Sequence, residues 1–299
     1  MTQRIGFIGL GLMGHGIAKN LLAKGFALSF KVHRSRATLA DLLAAGATEV
    51  ASHASLARDS DIVFICVTGS PQVEEVVHAE GGLLQGARQG LKVVDLSTAE
   101  PASTAALRAA FAAKGTTYID APLARTPKEA EEGRLNTMVG AEPADFEALR
   151  PVLAAFCENI VHVGAPGTGH VLKLVNNMIA MSMAASMCEA LAVAAKAGLD
   201  LNKVFQIISA GALNNGLMQM LVGKTLQGEL DGMKFAIGNA RKDLRYYTHL
   251  SEMLPVPSFM AEAAHQTFVQ ACNQGLADKY IASLLEMHET LSNVRIVPR

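Results

Sequence analysis

Charge is the first thing this chain is short of. Lys, Arg, Asp and Glu make up 18% of 299 residues, 26 basic against 27 acidic, for a formal net charge of −1. No basic block stands ready to neutralise a phosphate backbone, so nucleic acid is excluded as an expected partner. Cysteine is also sparse. Cys66, Cys157, Cys188 and Cys272 are scattered, with no Cys-x-x-Cys pair and no histidine companion at metal-ligand spacing. That excludes a disulfide framework and a Cys/His metal site, and leaves reduced thiols inside a cytoplasmic protein. No metal is expected. The first residues run straight into an apolar strand, without the basic flank and apolar core of a secretory signal. Internal repeats, low-complexity tracts and charge runs are absent as well.

What the chain has is apolar surface to bury. Half of its residues are hydrophobic, which suits a folded protein with a large core. Its length allows two domains at roughly 100–200 residues each. Segment 178–195 is apolar enough to raise a membrane span. It is mostly alanine and methionine, and Ser182, Ser186 and Glu189 interrupt it, so a core helix is expected and no membrane partner.

Apolar runs at 4–8, 27–32, 62–67, 92–96 and 117–119 alternate with helical patterns, including one at 36–45. This alternation predicts an α/β domain with a doubly wound, mostly parallel sheet. Runs 135–139 and 160–163 add two strands at a mixed edge. Beyond residue 171 the texture turns helical, with helices predicted at 171–197, 201–211, 213–227, 234–253, 257–274 and 278–292. The expected division is 1–165 for a dinucleotide-binding Rossmann domain and 166–299 for an all-α domain built on a long helix.

The first strand runs into Gly9-Leu10-Gly11-Leu12-Met13-Gly14 and then a helix. Gly9 permits the tight turn, Gly11 lets the backbone approach a pyrophosphate, and Gly14 lets the helix pack closely on the strand. Leu12 and Met13 join these glycines as cofactor-binding candidates, because helix N-terminal N–H groups receive the phosphates. The end of the second strand reads Lys31-Val32-His33-Arg34-Ser35-Arg36, with no acid to hold a ribose 2′-hydroxyl. His33, Arg34 and Ser35 suit a 2′-phosphate instead, so NADP(H) is preferred and NAD(H) remains possible. Val67, Thr68, Ser97 and Thr98 end two further strands, where doubly wound sheets bind ligands. Ser97 is a candidate donor to an anionic substrate group.

Lys173 lies in Gly167-Thr168-Gly169-His170-Val171-Leu172-Lys173-Leu174-Val175-Asn176-Asn177. It shares a helix face with Asn177 at i and i+4. An ammonium on so apolar a face is costly without a partner or a task. Protonating the oxygen of a carbonyl as it is reduced is such a task. An ion pair with Asp243 or Glu189 is the structural alternative.

Residues 7–14, continuing through Ala18, Asn20, Leu21 and Gly25, resemble the opening signature of the β-hydroxyacid dehydrogenases. Asp120-Ala121-Pro122, Gly169 through Lys173 to Asn177, and Lys242-Asp243-Leu244 are similar to that family's substrate-loop, catalytic-helix and Lys-Asp-Leu motifs, in the family's order. The resemblance implies hydride transfer between a nicotinamide cofactor and a small 3-hydroxy acid or its semialdehyde. It implies Lys173 and Asn177 as catalytic residues, Lys242 and Asp243 along the nicotinamide or substrate cleft, and a homodimer or homotetramer. A non-catalytic dinucleotide-binding module and an imine reductase-like enzyme are the rival classes. Retention of Lys173 counts against both.

The loop departs from the family pattern Asp-Ala-Pro-Val-Ser-Gly-Gly. Here Leu123-Ala124-Arg125-Thr126 follows Asp120-Ala121-Pro122, so the serine and both glycines are gone. Ala124, Arg125 and Thr126 become substrate-binding candidates, with Arg125 offering a planar charged fork to an anion. Sulfolactaldehyde reductases of the family carry a comparable Arg-Thr pair, which opens a sulfonate as the substrate anion. The plainer reading makes Thr126, Pro127 and Glu129 a helix cap, with Arg125 paired to Glu129 or facing solvent.

Overall fold

The computed structural model describes residues 3–32 and 39–298. By contacts the chain forms two compact units, Met1–Lys173 and Leu174–Arg299. The first is built on a nine-stranded sheet: β1 (Arg4–Ile8), β2 (Ala27–Lys31), β3 (Thr48–Glu49), β4 (Ile62–Ile65), β5 (Lys92–Asp95), β6 (Thr117–Asp120), β7 (Leu123–Ala124), β8 (Leu135–Gly140) and β9 (Cys157–Gly164). Six strands run parallel in the order β3-β2-β1-β4-β5-β6. This is the dinucleotide-binding order. β8 pairs antiparallel with β6 and β7 and parallel with β9, which makes the expected mixed edge.

Side-chain alternation along β4 shows why this sheet is buried on both faces. Ile62 and Phe64 point into a core shared with Phe7, Phe30, Ile119 and Phe156. Val63 and Ile65 point into the opposite core with Ile8, Val93, Phe111 and Tyr118. With period two and both faces covered, the strand reads as a continuous apolar run. Phe156 meets Phe64 edge-on at 5.6 Å, a favoured aromatic geometry.

The second unit is helical. The long helix, Thr168–Lys196, has 29 residues and is about 43 Å long at the usual rise. Length and a mean hydropathy of 1.7 would let it cross a membrane. Its Met181, Ala184, Ala185, Cys188, Leu191 and Ala192 instead pack among Leu221, Leu244, Phe268 and Leu285, which accounts for the apolar stripe. Helices Leu201–Ser209, Ile237–Met253, Phe259–Asn273 and Leu284–Ser292 complete the unit.

The structure modifies three expected elements. The 36–45 helix is Ala40–Ala44, and residues 33–38 lie outside the described residues. The helix expected over 213–227 starts at Gly216, where Asn215 Oδ1 accepts the Met218 N–H at 2.9 Å, and widens into a π-helix at Gln219–Gly223. Phe205 crowds Gly223 there, so a side chain at 223 would strike its ring. The 278–292 segment opens with a 3₁₀ turn, Ile281–Ser283, pinned where Ala236 bridges Tyr280.

Candidate active site

The glycine turn fits a dinucleotide. Gly9 has φ +96, and a Cβ there would overlap Cys66 O. At Gly14 a Cβ would overlap Gly9 O, which is why the Gly14–Ala23 helix starts so close to the strand. A Cβ on Gly11 would meet nothing within 4 Å, so this glycine keeps an open approach to the backbone for a pyrophosphate. Leu12 is 68% exposed and Met13 half-buried beside it. His33, Arg34 and Ser35 lie outside the described residues.

Two neighbouring strand ends are tied together next to this turn. Val67 N–H donates to Ser97 Oγ at 3.0 Å, and Ser97 N–H donates to Asp95 Oδ1 at 2.9 Å. Ser97 is therefore buried and fixed, with its hydroxyl proton left to donate. Asp95 also accepts from the Tyr118 hydroxyl at 2.8 Å. Burial first, then the charge of Asp95, raises the Tyr118 pKa well above its ordinary value. The Tyr118 hydroxyl therefore stays a donor.

The loop that follows β6 is braced from within. Ala124 lies in β7 opposite Asn136. Arg125 has φ +82, a left-handed backbone normally left to glycine; the family loop has glycine here. Its guanidinium donates to Glu158 and to Arg134 O, so the expected pairing with Glu129 or solvent is corrected to Glu158 on β9. Glu129 instead accepts both the Thr126 N–H at 3.0 Å and its hydroxyl at 2.6 Å, and Pro127 opens the Pro127–Glu131 helix. The helix-cap reading of Thr126 thus holds.

That short helix packs on the Gly14–Ala23 helix. Asn20 Nδ2 donates to Ala130 O at 3.0 Å, and a Cβ on Gly16 would lie 2.6 Å from Ala130 C. His15 bridges outward, with Nδ1 2.8 Å from Glu131 and Nε2 2.9 Å from Asp41. Burial pulls the His15 pKa down, but hydrogen bonds and charge from Glu131 and Asp41 outweigh it and leave it raised. The corresponding stability is full below the unfolded value near ~6.5 and fades as pH rises through the folded one. Urea midpoints taken from pH 6 to 9 should fall more steeply for wild type than for His15→Gln. Parallel slopes would remove His15 from the account.

On the long helix, Lys173 is half-buried and Asn177 is 6% exposed. Asn177 Nδ2 donates to Asp243 Oδ2 at 2.6 Å, and Asn176 Nδ2 donates to Asn177 Oδ1 at 3.0 Å. Lys242 Nζ donates to Asp243 Oδ1 at 2.6 Å and sits 4.7 Å over the Tyr246 ring. Both Asp243 oxygens are thereby engaged, and the residue holds Asn177 and Lys242 in place. All four cysteines are free thiols, and burial raises the pKa values of Cys66 and Cys188 to about 12.

The sequence singled out none of Asp95, Tyr118 and Thr104 as working parts, and gave His170 only a minor place beside Lys173. These four, with Asp120, form the buried polar heart of the first unit. The visible signal was a pair of aspartates, Asp95 and Asp120, each ending a neighbouring apolar strand.

The strand order and glycine turn define a dinucleotide-binding Rossmann class of protein. Comparison with known proteins narrows this. Residues 4–164 match the NAD binding domain of 6-phosphogluconate dehydrogenase, and residues 167–288 match the NAD-binding domain of NADP-dependent 3-hydroxyisobutyrate dehydrogenase. The chain is 33% identical to 2-(hydroxymethyl)glutarate dehydrogenase of Eubacterium barkeri, covering 98% of this chain and 97% of that protein. It is 30% identical to 3-sulfolactaldehyde reductase of Escherichia coli K12, covering 94% of each. The crystal structure of 3-hydroxyisobutyrate dehydrogenase from Salmonella typhimurium superposes with a TM-score of 0.84 at 27% identity, over 95% of this chain and 99% of that one. The protein belongs to the β-hydroxyacid dehydrogenase family and is an NAD(P)-dependent oxidoreductase.

Proposed function

We propose that the protein interconverts a short anionic aldehyde and its 3-hydroxy acid, with NADP(H) preferred over NAD(H) and Lys173 as general acid and base. One observation carries the reading: Lys173 shares a face of an apolar helix with Asn177, whose amide Asp243 holds at 2.6 Å. When bound, the nicotinamide supplies or takes up hydride at the carbonyl carbon. In reduction, negative charge grows on the carbonyl oxygen, Lys173 gives it a proton, and Asn177 orients that oxygen or the lysine. In oxidation, Lys173 takes the hydroxyl proton.

Gly9, Gly11, Leu12, Met13, Gly14, Val67, Thr68 and Thr98 would hold the cofactor with His33, Arg34 and Ser35. Ser97, Ala124 and Thr126 are the candidates for the substrate, and Lys242 and Asp243 those for the substrate or the nicotinamide. Residues 1–165 form the cofactor domain in this reading, and 166–299 serve substrate binding and assembly. A homodimer or homotetramer suits the exposed Ile179, Val193, Ile207 and Leu213.

Arg125 decides between a sulfonate and a carboxylate substrate. The likeness to 3-sulfolactaldehyde reductase and the Arg-Thr pair favour the sulfonate. The engagement of the guanidinium by Glu158 favours a bracing role. The test is kcat/KM for sulfolactaldehyde and for succinic semialdehyde with NADPH, in wild type and Arg125→Ala. A loss near 10²-fold on sulfolactaldehyde alone, about 2.7 kcal/mol, supports an anion-reading guanidinium. Equal small losses on both substrates assign Arg125 to the brace. Reduction of neither substrate would sink the proposed chemistry.

A further inference from the structure

Asp120 is 1% exposed at the C-terminal end of β6. Its Oδ1 accepts the Gly167 N–H at 2.6 Å, and its Oδ2 accepts the His170 N–H at 2.9 Å. Both donors lie where the chain enters the long helix, among the N–H groups that have no acceptor within a helix. A strand residue 47 and 50 positions upstream therefore caps the helix that carries Lys173. A buried carboxylate is costly alone. Here two N–H bonds and the positive end of the helix offset part of that cost, and burial still leaves the Asp120 pKa raised.

The surrounding packing leaves the helix start no other seat. A Cβ on Gly169 would overlap Met138 O and lie 2.7 Å from Asp120 O. A Cβ on Gly140 would lie 2.7 Å from Asp120 Oδ2 and 2.8 Å from Gly169 N. Two glycines on two elements thus let the helix start, the carboxylate and β8 come together. The next side chain along, His170, is fully buried and extends the same connection. Its Nδ1 is 2.7 Å from Thr104 Oγ1, which spends its own proton on Glu100 O. The ring nitrogen is therefore the donor. His170 Nε2 lies 3.7 Å from Asp95 Oδ2, and Asp95 holds the Ser97 N–H.

We propose that Asp120 is a positioning residue: it fixes the register and roll of the helix start, so that Lys173 is presented at one place relative to the sheet's C-terminal edge and Ser97. This role rests on the reading of Lys173 as proton donor and goes beyond it. It explains why an aspartate opens the loop motif, at a strand end where its carboxylate touches the helix and not the loop. Lys173 needs such fixing because it lies in the second turn of the helix, next to the end that frays without a cap.

The test compares wild type, Asp120→Asn, Gly169→Ala and Lys173→Ala as full-length proteins. The measurements are kcat and KM for succinic semialdehyde or sulfolactaldehyde with NADPH, the NADPH dissociation constant from fluorescence, and the thermal midpoint. Asp120→Asn keeps the shape and one acceptor but turns an amide N–H₂ toward the second backbone donor. The expected result is a kcat lower by about 10²-fold, the usual cost of a misplaced reacting group, with NADPH affinity and substrate KM retained. Gly169→Ala displaces the helix start while the carboxylate stays, and should reproduce that split. It decides the matter should Asp120→Asn fail to fold. A wild-type kcat with a lowered midpoint, or a kcat loss matched by weaker NADPH binding, overturns the proposal. Lys173→Ala separates the two readings: wild-type rates in that variant overturn the role of Lys173 itself, and the positioning role with it.

Discussion

Lys173→Ala is expected to lose about 10²–10⁴-fold in kcat, the usual span for one general acid or base, and to bind NADPH as wild type does. The physical reason is charge. Hydride arrival at a carbonyl carbon leaves an alkoxide, and an ammonium nearby supplies both the counter-charge and the proton. The Ala variant keeps the glycine turn, whose Gly9 and Gly14 contacts lie on other elements, so cofactor affinity separates chemistry from folding. Lys173→Arg is the informative second change. It keeps the positive charge but holds its protons too tightly to donate one. If charge alone did the work, Arg would recover most of the rate. If proton transfer does it, Arg stays close to Ala. A loss below tenfold in Lys173→Ala, with the midpoint of unfolding lowered instead, would assign the lysine to a structural ion pair.

Much of this architecture was legible because its determinants are local. The β1 run, the glycine turn and the following helix lie within residues 4–23, and each glycine's role follows from its spacing. The parallel, doubly wound character of the sheet follows from alternating apolar runs and helices, since parallel strands need crossovers. The long helix was legible from a largely apolar run, within three residues of its start at Thr168.

What escaped depends on partners far along the chain. Arg125 finds Glu158, 33 residues away, and not the helix-spaced Glu129. Local spacing made Glu129 the natural expectation, and the capping box of Thr126 had already claimed that carboxylate. The two-residue strands Thr48–Glu49 and Leu123–Ala124 carry too little pattern to register as strands; they exist because β2 and β8 offer them edges. The Asp95–His170 and Asp120–His170 connections span sheet and helix over dozens of residues. Each residue alone looked like a strand end or a turn. Only the fold shows that they share one buried polar group, with His170 at its centre.

Asp243→Ala should cost about 3–5 kcal/mol of stability, the range for removing one partner from a buried charged group, read from urea or thermal unfolding of the intact protein. Asp243 is 2% exposed, and its two oxygens take Asn177 Nδ2 and Lys242 Nζ, each at 2.6 Å. Truncation leaves a buried amide and a largely buried ammonium without that acceptor, and the cost comes from those stranded groups more than from the lost attraction. Asp243→Asn should cost less, since one oxygen remains for one donor. A loss below 1 kcal/mol in Asp243→Ala would show that the two donors find water or other acceptors, and would end the idea of an organising carboxylate. The stronger test removes the group entirely. Asp243→Leu with Asn177→Leu and Lys242→Met replaces three polar side chains by apolar ones. Such exchanges are often neutral or stabilising, because no desolvated charge is left behind. That triple variant is expected to recover most of the stability lost in Asp243→Ala and none of the activity. Recovered stability without activity would mean that the polar trio is kept for the reaction, since an apolar core would hold these helices as well.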